Sequence, residues 1–360
     1  MAAQTPSVSV VLPVFDGEAY LVQAVESILA QSLNTIELIA IDDGSRDRSL
    51  EILRAHAAAD PRLRVVTRGN RGLVATLNEA IALAESEFVA IMNADDVSLP
   101  TRLEKQLVFL QTHSQVAVVG CQVQLLTSGS APSIVARLPV EPAAVRAFLP
   151  LASPVAHPAV MFRRQAVMAC GLYREQMMPA EDYDLWLRIS EHHDIANLPE
   201  VLLQYRLHTG QVSANRFEAV AAATLAAQMA SRCRLRGEPD PLEGVAVLSP
   251  AVLERMGIEQ DQIARQTLRN VLWRAEMHLA ASRRPADARS LMDAMSDHWA
   301  AAMHPRLWRA SAHWLEARCA ACERRFLTAA GLGVAAIAED EGLRRRVISR
   351  VWPGATPRSG

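Results

Sequence analysis

The chain carries a short apolar stretch that ends in two adjacent carboxylates. Residues 88–92 read Phe-Val-Ala-Ile-Met, and Asn-Ala then leads into Asp95 and Asp96. An apolar run of this length predicts a buried β-strand. Two neighbouring negative charges at a strand end repel each other, so they are expected where a cation or a polyol holds them. The alternative is a solvated acidic loop, which is common after strands.

A second strand end repeats this arrangement. Residues 36–43 read Ile-Glu-Leu-Ile-Ala-Ile-Asp-Asp, so another predicted strand ends in two carboxylates. Upstream, residues 7–14 predict a third strand, which ends in the turn Pro-Val-Phe-Asp-Gly and leads into a helix. Alternating strand, turn and helix units are typical of an open α/β sheet, whose ligands bind at the carboxyl ends of the strands. We therefore expect the carboxylates of two strand ends to line one crevice.

Hydrophobic spacing and turn residues predict the remaining elements of this part of the chain. Ser45 or Asp47 is the expected N-cap of the helix after the second strand. Residues 127–154 are rich in Ser, Pro and Gly and show little periodicity, which predicts a mobile connection or lid. The pattern predicts strands over residues 7–13, 36–41, 64–67, 88–92 and 116–125, and helices over residues 20–30, 73–84 and 100–113.

The last third of the chain changes in composition to Ala, Arg and Leu, and no strand pattern competes with its helical periodicity. A chain of 360 residues exceeds the usual size of a single core. We therefore expect two domains, residues 1–216 and a helical appendage of residues 217–360. Within the appendage, helices are predicted over residues 217–236, 260–281, 285–303 and 305–330.

Charge and cysteine content restrict the class of protein. The net charge of −2 gives no support for nucleic-acid binding. Five scattered cysteines argue against a disulfide framework and for a reducing compartment, and the lone Cys319–Cys322 pair lacks further metal ligands. No secretory signal is visible, and the longest apolar stretches fall short of the roughly 20 residues that span a bilayer. We expect a cytoplasmic protein.

Seven motifs follow one another along the chain. They are Val-Val-Leu-Pro-Val-Phe (10–15), Asp-Asp-Gly-Ser-Arg-Asp (42–47), residues 70–78, Asn-Ala-Asp-Asp (93–96), and residues 157–163, 181–188 and 205–213. Together they resemble the motifs of the inverting family-two glycosyltransferases with the GT-A fold, although Asn93 stands where the family often has an acid. The resemblance covers roughly the first three-fifths of the chain. It implies a Rossmann-like, mostly parallel central sheet with flanking helices, followed here by the helical C-terminal region.

The resemblance implies a divalent cation, Mn²⁺ or Mg²⁺, at the end of the fourth strand. It makes Asp96 the direct metal ligand and Asp95 the partner of the ribose or of the metal's bound water. His208 matches a histidine that the family frequently places after a strand, so it is the expected second metal ligand; the alternative is that it only anchors a loop. Arg206 and Gln211 of the same motif are alternative ligands of a diphosphate, on a flap that orders when the donor binds.

Donor binding is expected at the first two strand ends. Asp43, or its neighbour Asp42, can accept a hydrogen bond from the imide N–H of uracil or thymine, which cytosine lacks. The alternative for Asp42 is a carboxylate that caps the turn. Arg68 and Arg71 are available to a diphosphate, although either can equally be a solvated arginine. The expected donor-binding residues are Pro13, Phe15, Asp43, Arg71 and Asp95.

An inverting transfer also needs a carboxylate that takes the proton of the acceptor hydroxyl. Asp182 matches the family's catalytic position, at the amino end of a predicted helix, where the ionised form of a carboxyl is favoured. The alternative is that Asp182 only caps the helix. Trp186 and His157 are candidates for the acceptor pocket, with packing and loop anchoring as the alternative.

These observations predict an inverting glycosyltransferase that moves a sugar from a nucleoside diphosphate, expected to be UDP, to a hydroxyl of a glycan or lipid-linked acceptor. Polysaccharide biosynthesis for the cell envelope is the expected process. The alternative is a GT-A scaffold that binds nucleotide sugar without transfer and acts through its helical appendage. A sugar-phosphate nucleotidyltransferase is disfavoured, because the turn at residues 13–17 is neither glycine-rich nor basic.

The C-terminal segment combines positive charge with apolar residues. Arg344, Arg345 and Arg346 precede Arg350 and Trp352, with valines and an isoleucine between them. Such a segment can lie peripherally on an anionic membrane, where lipid-linked acceptors reside. The alternative is an ordinary helix that packs on the transferase domain or contributes to a homodimer.

Overall fold

A computed structural model of the chain describes residues 5–126, 134–207, 216–282, 285–293, 295–296 and 298–339. These residues form two compact units. In the first unit the described residues are 5–126, 134–207 and 226–249, and in the second they are 216–225 and those from 250 onward. The domain boundary expected after residue 216 stays a prediction.

Strands and helices alternate from the start of the described chain, as the apolar runs and helical spacing predict. The predicted strands lie within one or two residues of those observed. The elements are β1 (Val8–Val14), α1 (Leu21–Leu29), β2 (Ile36–Asp42), α2 (Ser49–Ala59), β3 (Leu63–Thr67), α3 (Leu73–Leu83), β4 (Phe88–Ile91), the short β5 (Val97–Ser98) and α4 (Arg102–Thr112).

The second half of this unit contains more regular structure than its composition suggests. The prediction of an irregular connection over residues 127–154 is wrong in part, because a strand and a helix lie within it; residues 127–133 lie outside the described residues. The elements are β6 (Val116–Leu126), β7 (Ile134–Ala136), α5 (Pro142–Phe148), a 3₁₀ turn (His157–Ala159), β8 (Met161–Arg163), α6 (Arg164–Ala169), a second 3₁₀ turn (Glu175–Met177), α7 (Glu181–Ser190) and β9 (Asp194–Arg206).

Nine strands of the described residues form one mixed sheet. The order is β3-β2-β1-β4-β8-β6-β9-β5, and β7 pairs with β6 beside this path. The pairs β1–β2, β2–β3, β1–β4 and β6–β9 are parallel, whereas β4–β8, β6–β8, β6–β7 and β5–β9 are antiparallel. The expected fold class, an α/β sheet with flanking helices followed by a helical region, is confirmed.

The core of the first unit lies between this sheet and its helices. Alternate residues of β1, namely Val8, Val10 and Leu12, are fully buried against Leu21, Val25 and Ile28 of α1 and their neighbours. Burial of each such side chain contributes about 1.5–3 kcal/mol relative to exposure. The core therefore fixes where the strand ends lie.

The rest of the described chain is helical. Two long predicted helices are each divided in two: the one over residues 285–303, and the one over residues 305–330, where Arg324 has a φ of 63°. A non-glycine residue with positive φ cannot continue a right-handed helix. The helices are α8 (Phe217–Leu235), α9 (Pro250–Arg255), α10 (Gln260–Ser282), α11 (Pro285–Asp293), α12 (Trp299–Met303), α13 (Pro305–Cys322) and α14 (Phe326–Glu339).

None of the helices in the described parts of the chain has both the length and the apolar character needed to cross a membrane. All five cysteines are unpaired, which agrees with the expected absence of a disulfide framework. The basic segment around residues 344–352 lies outside the described residues, and its contact with a membrane surface stays a prediction.

Candidate active site

The carboxyl ends of β1, β2 and β4 meet at one edge of the sheet. β1 pairs in parallel with β2 on one side and with β4 on the other. The N–H of Asp43 donates to the carbonyl of Val14 over 2.8 Å, and the N–H of Met92 donates to the carbonyl of Val11 over 2.9 Å. The turn after β1, the acidic pair after β2 and the segment 93–96 therefore lie side by side.

Side chains that follow β2 hold the turn after β1. Ser45 Oγ accepts a 3.0 Å hydrogen bond from the N–H of Asp16, and Asp47 Oδ2 accepts a 2.9 Å hydrogen bond from the N–H of Glu18. Helix α2 begins only at Ser49 and has no side-chain cap, so the prediction that Ser45 or Asp47 is its N-cap is wrong. The two side chains stabilise the rim of the crevice instead.

The turn after β1 presents one aromatic side chain to solvent. Phe15 is 47% exposed, whereas Pro13 is partly buried in the strand end. A Cβ added to Gly17 would lie 3.3 Å from the Cβ of Ala94, so the turn passes closely over the segment that carries Asp95 and Asp96. Phe15 is thus exposed on a turn that passes close to the segment carrying the two carboxylates, and its contact with a base or ribose stays a prediction.

Asp43 is buried and already carries hydrogen bonds from the chain. Its Oδ1 accepts the N–H of Arg71 and its Oδ2 accepts the N–H of Gly72, both over 2.8 Å, and its carboxylate also pairs with Arg68. Asp42 is equally buried and accepts hydrogen bonds from the N–H of Ser45 and the hydroxyl of Thr67. Because a carboxylate offers about four lone-pair positions, Asp43 retains room for one further donor.

The two arginines after β3 differ in their availability. Arg68 is mostly buried and donates to Asp43, to Glu79 over 2.8 Å and to Thr76 over 3.0 Å. The side chain of Arg71 is 64% exposed and reaches Glu79 only at 3.6 Å. Arg71 is therefore the more accessible cation for a diphosphate.

A glycine allows the two loops of this region to approach each other. Gly44 has a φ of 78°, and a Cβ there would lie 2.9 Å from the backbone nitrogen of Asn70. Both the positive φ and the close approach disfavour a larger residue. Gly44 thus lets the turn after β2 lie against the loop that carries Arg71.

Asp96 is the most deeply buried acid of the crevice. It is fully buried, its Oδ1 accepts a 2.8 Å hydrogen bond from the N–H of Arg206, and no group among the described residues completes a hydrogen bond to its Oδ2. Burial, and next the charge of Asp95, raise the pKa of Asp96 well above its usual range, although Arg206, Asn93 and Arg102 oppose this shift. A cation at this position would relieve the cost of the buried charge.

Arg206 links the end of β9 to the same acids. Its Nε donates to the carbonyl of Asp95 over 2.8 Å, its Nη2 donates to Gln23 over 2.8 Å, and its guanidinium lies 4.3 Å from the ring centre of Tyr20. The guanidinium therefore contacts the fold at this edge of the sheet, and its role as a ligand of a diphosphate stays a prediction. His208 and Gln211 lie outside the described residues, and their roles stay predictions.

The residues after β4 fit a divalent cation. Asp95 is partly exposed beside the buried Asp96, whose Oδ2 has no hydrogen-bond partner among the described residues. No group of three or more His, Cys, Asp or Glu side chains within the described ranges is arranged to hold a metal. Mg²⁺ and similar hard cations commonly take one or two carboxylates and complete their shell with substrate phosphates. Two carboxylates are sufficient for that kind of site.

Asp182 lies in the first turn of α7 and is partly exposed. Its neighbour Glu181 is buried, and its Oε2 has no hydrogen-bond partner in the described part of the chain. Burial, and next the charge of Asp182, raise the pKa of Glu181 to about 8. The buried position of Glu181 therefore favours its uncharged form.

A cluster of rings lies near Asp182. His157 Nε2 and the hydroxyl of Tyr173 share a 2.9 Å hydrogen bond, and the His157 ring lies 6.3 Å from that of the buried Trp186. Burial lowers the pKa of His157, and the charge of Asp182 opposes this shift. Asn78 fixes the backbone of Tyr173 through its amide, which donates over 2.9 Å and accepts over 3.1 Å. The structure thus brings Asp182, His157 and Trp186 together.

A buried arginine, not identified from the sequence, binds two backbone carbonyls of this region. Arg102 of α4 is fully buried and donates to the carbonyl of Ile91 over 3.0 Å and to that of Pro158 over 2.6 Å. It therefore ties the end of β4 to the turn that carries His157. Burial lowers the pKa of Arg102 to about 10, and the charge of Asp96 acts against this shift. An arginine in an amphipathic helix is ordinarily expected in solvent, so the sequence offers no signal for this role.

Two solved structures share the fold of this chain. The mannosyltransferase PcManGT of Pyrobaculum calidifontis, in complex with GDP-Man and Mn²⁺, matches with a TM-score of 0.51 at 17% identity over 98% of this chain and 89% of that chain. TarS 1–349 of S. aureus, in complex with UDP-GlcNAc, matches with a TM-score of 0.51 at 16% identity over 88% and 89%. At such identities the likeness establishes the GT-A fold.

Sequence relatives identify the family. The family model "Glycosyl transferase family 2" matches residues 9–168. The amylovoran biosynthesis glycosyltransferase AmsE of Erwinia amylovora is 33% identical over 196 residues, which are 54% of this chain and 73% of that protein. The O-antigen biosynthesis glycosyltransferase WbnJ of Escherichia coli is 32% identical over 209 residues, 56% of this chain and 80% of that protein. With relatives matched over most of their length, the chain belongs to glycosyl transferase family 2 and is a glycosyltransferase.

Proposed function

We propose that this glycosyltransferase moves a sugar from a nucleoside diphosphate, with UDP as the nucleotide, to a hydroxyl of a glycan or lipid-linked acceptor, with inversion at the anomeric carbon. One observation carries the proposal: Arg102 ties the end of β4, which leads into Asp95 and Asp96, to the turn whose His157 lies close to Asp182. Arg102 thus links the surroundings of a first acidic group, Asp95 and Asp96, to those of a second, Glu181 and Asp182.

The first acidic group is suited to the donor diphosphate. Asp96 would hold Mn²⁺ or Mg²⁺, Asp95 would contact the ribose or the metal's water, and a bound cation supplies positive charge to the leaving diphosphate. Arg71 is exposed at the amino end of α3 and can add a charge-assisted hydrogen bond. Phe15 and Pro13 would line the base and ribose, with Asp43 as acceptor for the imide N–H of uracil.

The second acidic group is suited to the acceptor. The Asp182 carboxylate would take the proton of the attacking hydroxyl as its oxygen forms the new bond to the anomeric carbon, while the bond to the diphosphate breaks. Attack from the face opposite the leaving group inverts the configuration. Asp182 lies in the first turn of α7, where the helix dipole stabilises negative charge, and the pKa of the buried Glu181 beside it is raised to about 8.

The sequence relatives support a polymer of the cell surface as the acceptor. AmsE and WbnJ are named for amylovoran and O-antigen biosynthesis. Within the ring cluster near Asp182, Tyr173 and Trp186 are buried, so the partly exposed His157 is the ring available to a sugar acceptor.

A thermal-shift screen tests the donor assignment. UDP-glucose, UDP-GlcNAc, GDP-Man and CDP-glucose are each added to the full chain with Mn²⁺, with Mg²⁺ or with EDTA. A bound donor stabilises the fold by mass action, so a UDP-sugar at about 100 times its dissociation constant is expected to raise Tm by about 5 °C, and only with a divalent cation.

Release of UDP from the stabilising UDP-sugar then tests turnover. Slow hydrolysis of the donor is expected even without an acceptor, since water can take the acceptor's place. Stabilisation by donors without any hydrolysis or transfer would contradict the catalytic assignment. No stabilisation by any UDP-sugar would contradict the UDP assignment.

A further inference from the structure

The segment 226–249 belongs to the same compact unit as α7 although it follows the last motif of the transferase by more than ten residues. Within this segment, both oxygens of the Asp240 carboxylate accept hydrogen bonds. Oδ2 accepts hydrogen bonds from Arg174 and from Arg234, each over 2.8 Å, and Oδ1 accepts the N–H of Leu242 over 2.9 Å. The Asp240 side chain is only 9% exposed, so these are partly desolvated ion pairs.

Both arginines that bind Asp240 continue to α7. Arg234 also pairs with Glu191 over 2.8 Å, directly after the last residue of α7. Arg174 lies 3.8 Å from Asp184, which is fully buried one turn into the helix and pairs with Arg188 over 2.8 Å. Asp240 is therefore the common partner of two cations that lie at the start and at the end of α7.

The network extends to the segment before α7. Arg188 donates to the carbonyls of Cys170 and Leu172, the latter over 2.8 Å, so it holds the chain next to Tyr173. The ion pairs thus connect α7 to the residue that shares a hydrogen bond with His157.

A neutral contact reinforces the first turn of α7. The amide of Gln228 donates to the hydroxyl of Tyr183 over 3.2 Å and to the carbonyl of Pro150 over 3.1 Å, and the Tyr183 hydroxyl donates to the carbonyl of Leu149 over 2.5 Å. Tyr183 directly follows Asp182 in the chain. The segment 226–249 therefore holds α7 next to the candidate base as well as at the far end.

We propose that the segment 226–249 is a brace for α7 and that Asp240 is a positioning residue for Asp182. The proposal rests on the proposed function, in which Asp182 takes the acceptor proton. Without the Asp240 charge, Arg174 and Arg234 lose a shared anion and repel each other in a partly buried space, which lets α7 shift. A displacement of about 1 Å at a reacting group can lower a rate by about 10²-fold.

Asp240→Asn tests the brace, because the amide has nearly the same size but no charge. With UDP-glucose and UDP-GlcNAc as donors and Mn²⁺ present, kcat for UDP release is expected to fall about tenfold while the donor KM stays within about twofold. Asp240→Glu restores the charge and is expected to recover part of kcat. Glu238→Gln is the matched control, because Glu238 lies in the same loop and pairs with Arg236 in solvent; its kcat is expected to match wild type.

Hydrogen exchange gives a readout that does not depend on turnover. Amides of α7 are expected to exchange about tenfold faster in Asp240→Asn than in Glu238→Gln, with unchanged exchange in β1 and β2. Gln228→Ala is a second variant, in which amides of the first turn of α7 are expected to exchange faster. It keeps the test possible if Asp240→Asn does not fold.

The outcomes separate the two proposals. If the amides of α7 exchange at the wild-type rate in both Asp240→Asn and Gln228→Ala, the brace is overturned, whatever the activity of these variants. A lower Tm with unchanged kcat would show a merely structural contact and overturn the positioning role. If α7 exchanges faster in Asp240→Asn but the wild-type protein releases no UDP from either donor, the brace is supported and the proposed function is contradicted.

Discussion

The backbone N–H of Arg206 donates a 2.8 Å hydrogen bond to Oδ1 of Asp96, so the last residue of β9 is fastened to the acid after β4. The Arg206 guanidinium donates to the carbonyl of Asp95 in the same place. Two motifs that are 110 residues apart in the chain thereby share one structural contact. Removal of the Asp96 side chain would alter both the charge and this backbone link.

Asp96→Asn separates these two effects. The asparagine oxygen can still accept the N–H of Arg206, so the variant is expected to fold, but it lacks the charge that holds a cation. Calorimetry is expected to show UDP binding that no longer depends on Mn²⁺. Asp95→Asn should weaken UDP binding yet retain its Mn²⁺ dependence. The reverse pattern would make the more exposed Asp95 the direct metal ligand.

Arg102→Met is expected to destabilise the first unit. The methionine removes the donor of two buried carbonyls, those of Ile91 and Pro158, and unpaired buried polar groups cost about 1–3 kcal/mol each. Urea unfolding is expected to show a loss of about 2–6 kcal/mol.

Lys105→Met on the same helix is the control for Arg102. Its side chain is exposed and pairs with Glu200 in solvent, so a change within about 0.5 kcal/mol is expected. Similar unfolding midpoints for the two variants would contradict the part assigned to Arg102.

The strands were predictable because their signal is local. β1, β2 and β4 are short apolar runs bounded by turn residues, and this pattern is sufficient to place a buried strand within one or two residues. The division of the predicted helix over residues 305–330 was not predictable. Arg324 takes a positive φ there, and an arginine gives no local sign of such a conformation.

The candidate site was predictable only in part, for a related reason. The acidic pairs after β2 and β4 directly follow apolar runs that predict strands. Neighbouring parallel strands end at the same edge of a sheet, so the position of these pairs could be predicted. The bonds of Arg102 and Asp240 join segments that are distant in the chain: Arg102 reaches Pro158 across 56 residues, and Asp240 binds Arg174 across 66. From local sequence patterns such charged side chains are expected in solvent. Their partners come close only when the chain folds, so the spacing of residues along the sequence does not reveal them.

Glu181 is expected to make stability depend on pH. Its pKa is raised to about 8 in the fold, from an ordinary value near 4.5, so the folded state binds a proton more tightly than the unfolded state. The resulting stabilisation is complete below about pH 4.5 and is lost as pH rises through about 8. Between these values the free energy of unfolding is expected to fall by at most about 1.4 kcal/mol per pH unit because of this group.

Glu181→Gln isolates this contribution. Glutamine keeps the shape of the protonated carboxyl and does not titrate, so wild type should lose stability relative to the variant as pH rises from 5 to 9. Denaturant unfolding of both proteins at each pH measures the difference. A difference that stays constant over this range would contradict the raised pKa.

Asp43→Asn tests whether this side chain contacts the base. If Asp43 accepts the imide N–H of uracil, the variant is expected to bind UDP about tenfold more weakly while CDP binding changes little. If Asp43 only holds the loop through the N–H groups of Arg71 and Gly72, UDP and CDP binding will weaken equally. Asp60→Asn is the control, because Asp60 also binds a backbone N–H and an arginine, in the loop before β3.

Asp182→Asn tests the candidate base directly. The amide keeps the size of the side chain but cannot take a proton, so transfer is expected to fall by about 10²-fold or more while donor affinity is unchanged. Asp194→Asn is a suitable control, because Asp194 pairs with Arg146 at the surface at the start of β9. Turnover is measured with acceptor, and donor affinity by calorimetry with UDP and Mn²⁺. Near-normal turnover of Asp182→Asn would show that another group removes the proton, and Glu181, adjacent and buried, would be the next carboxyl to substitute.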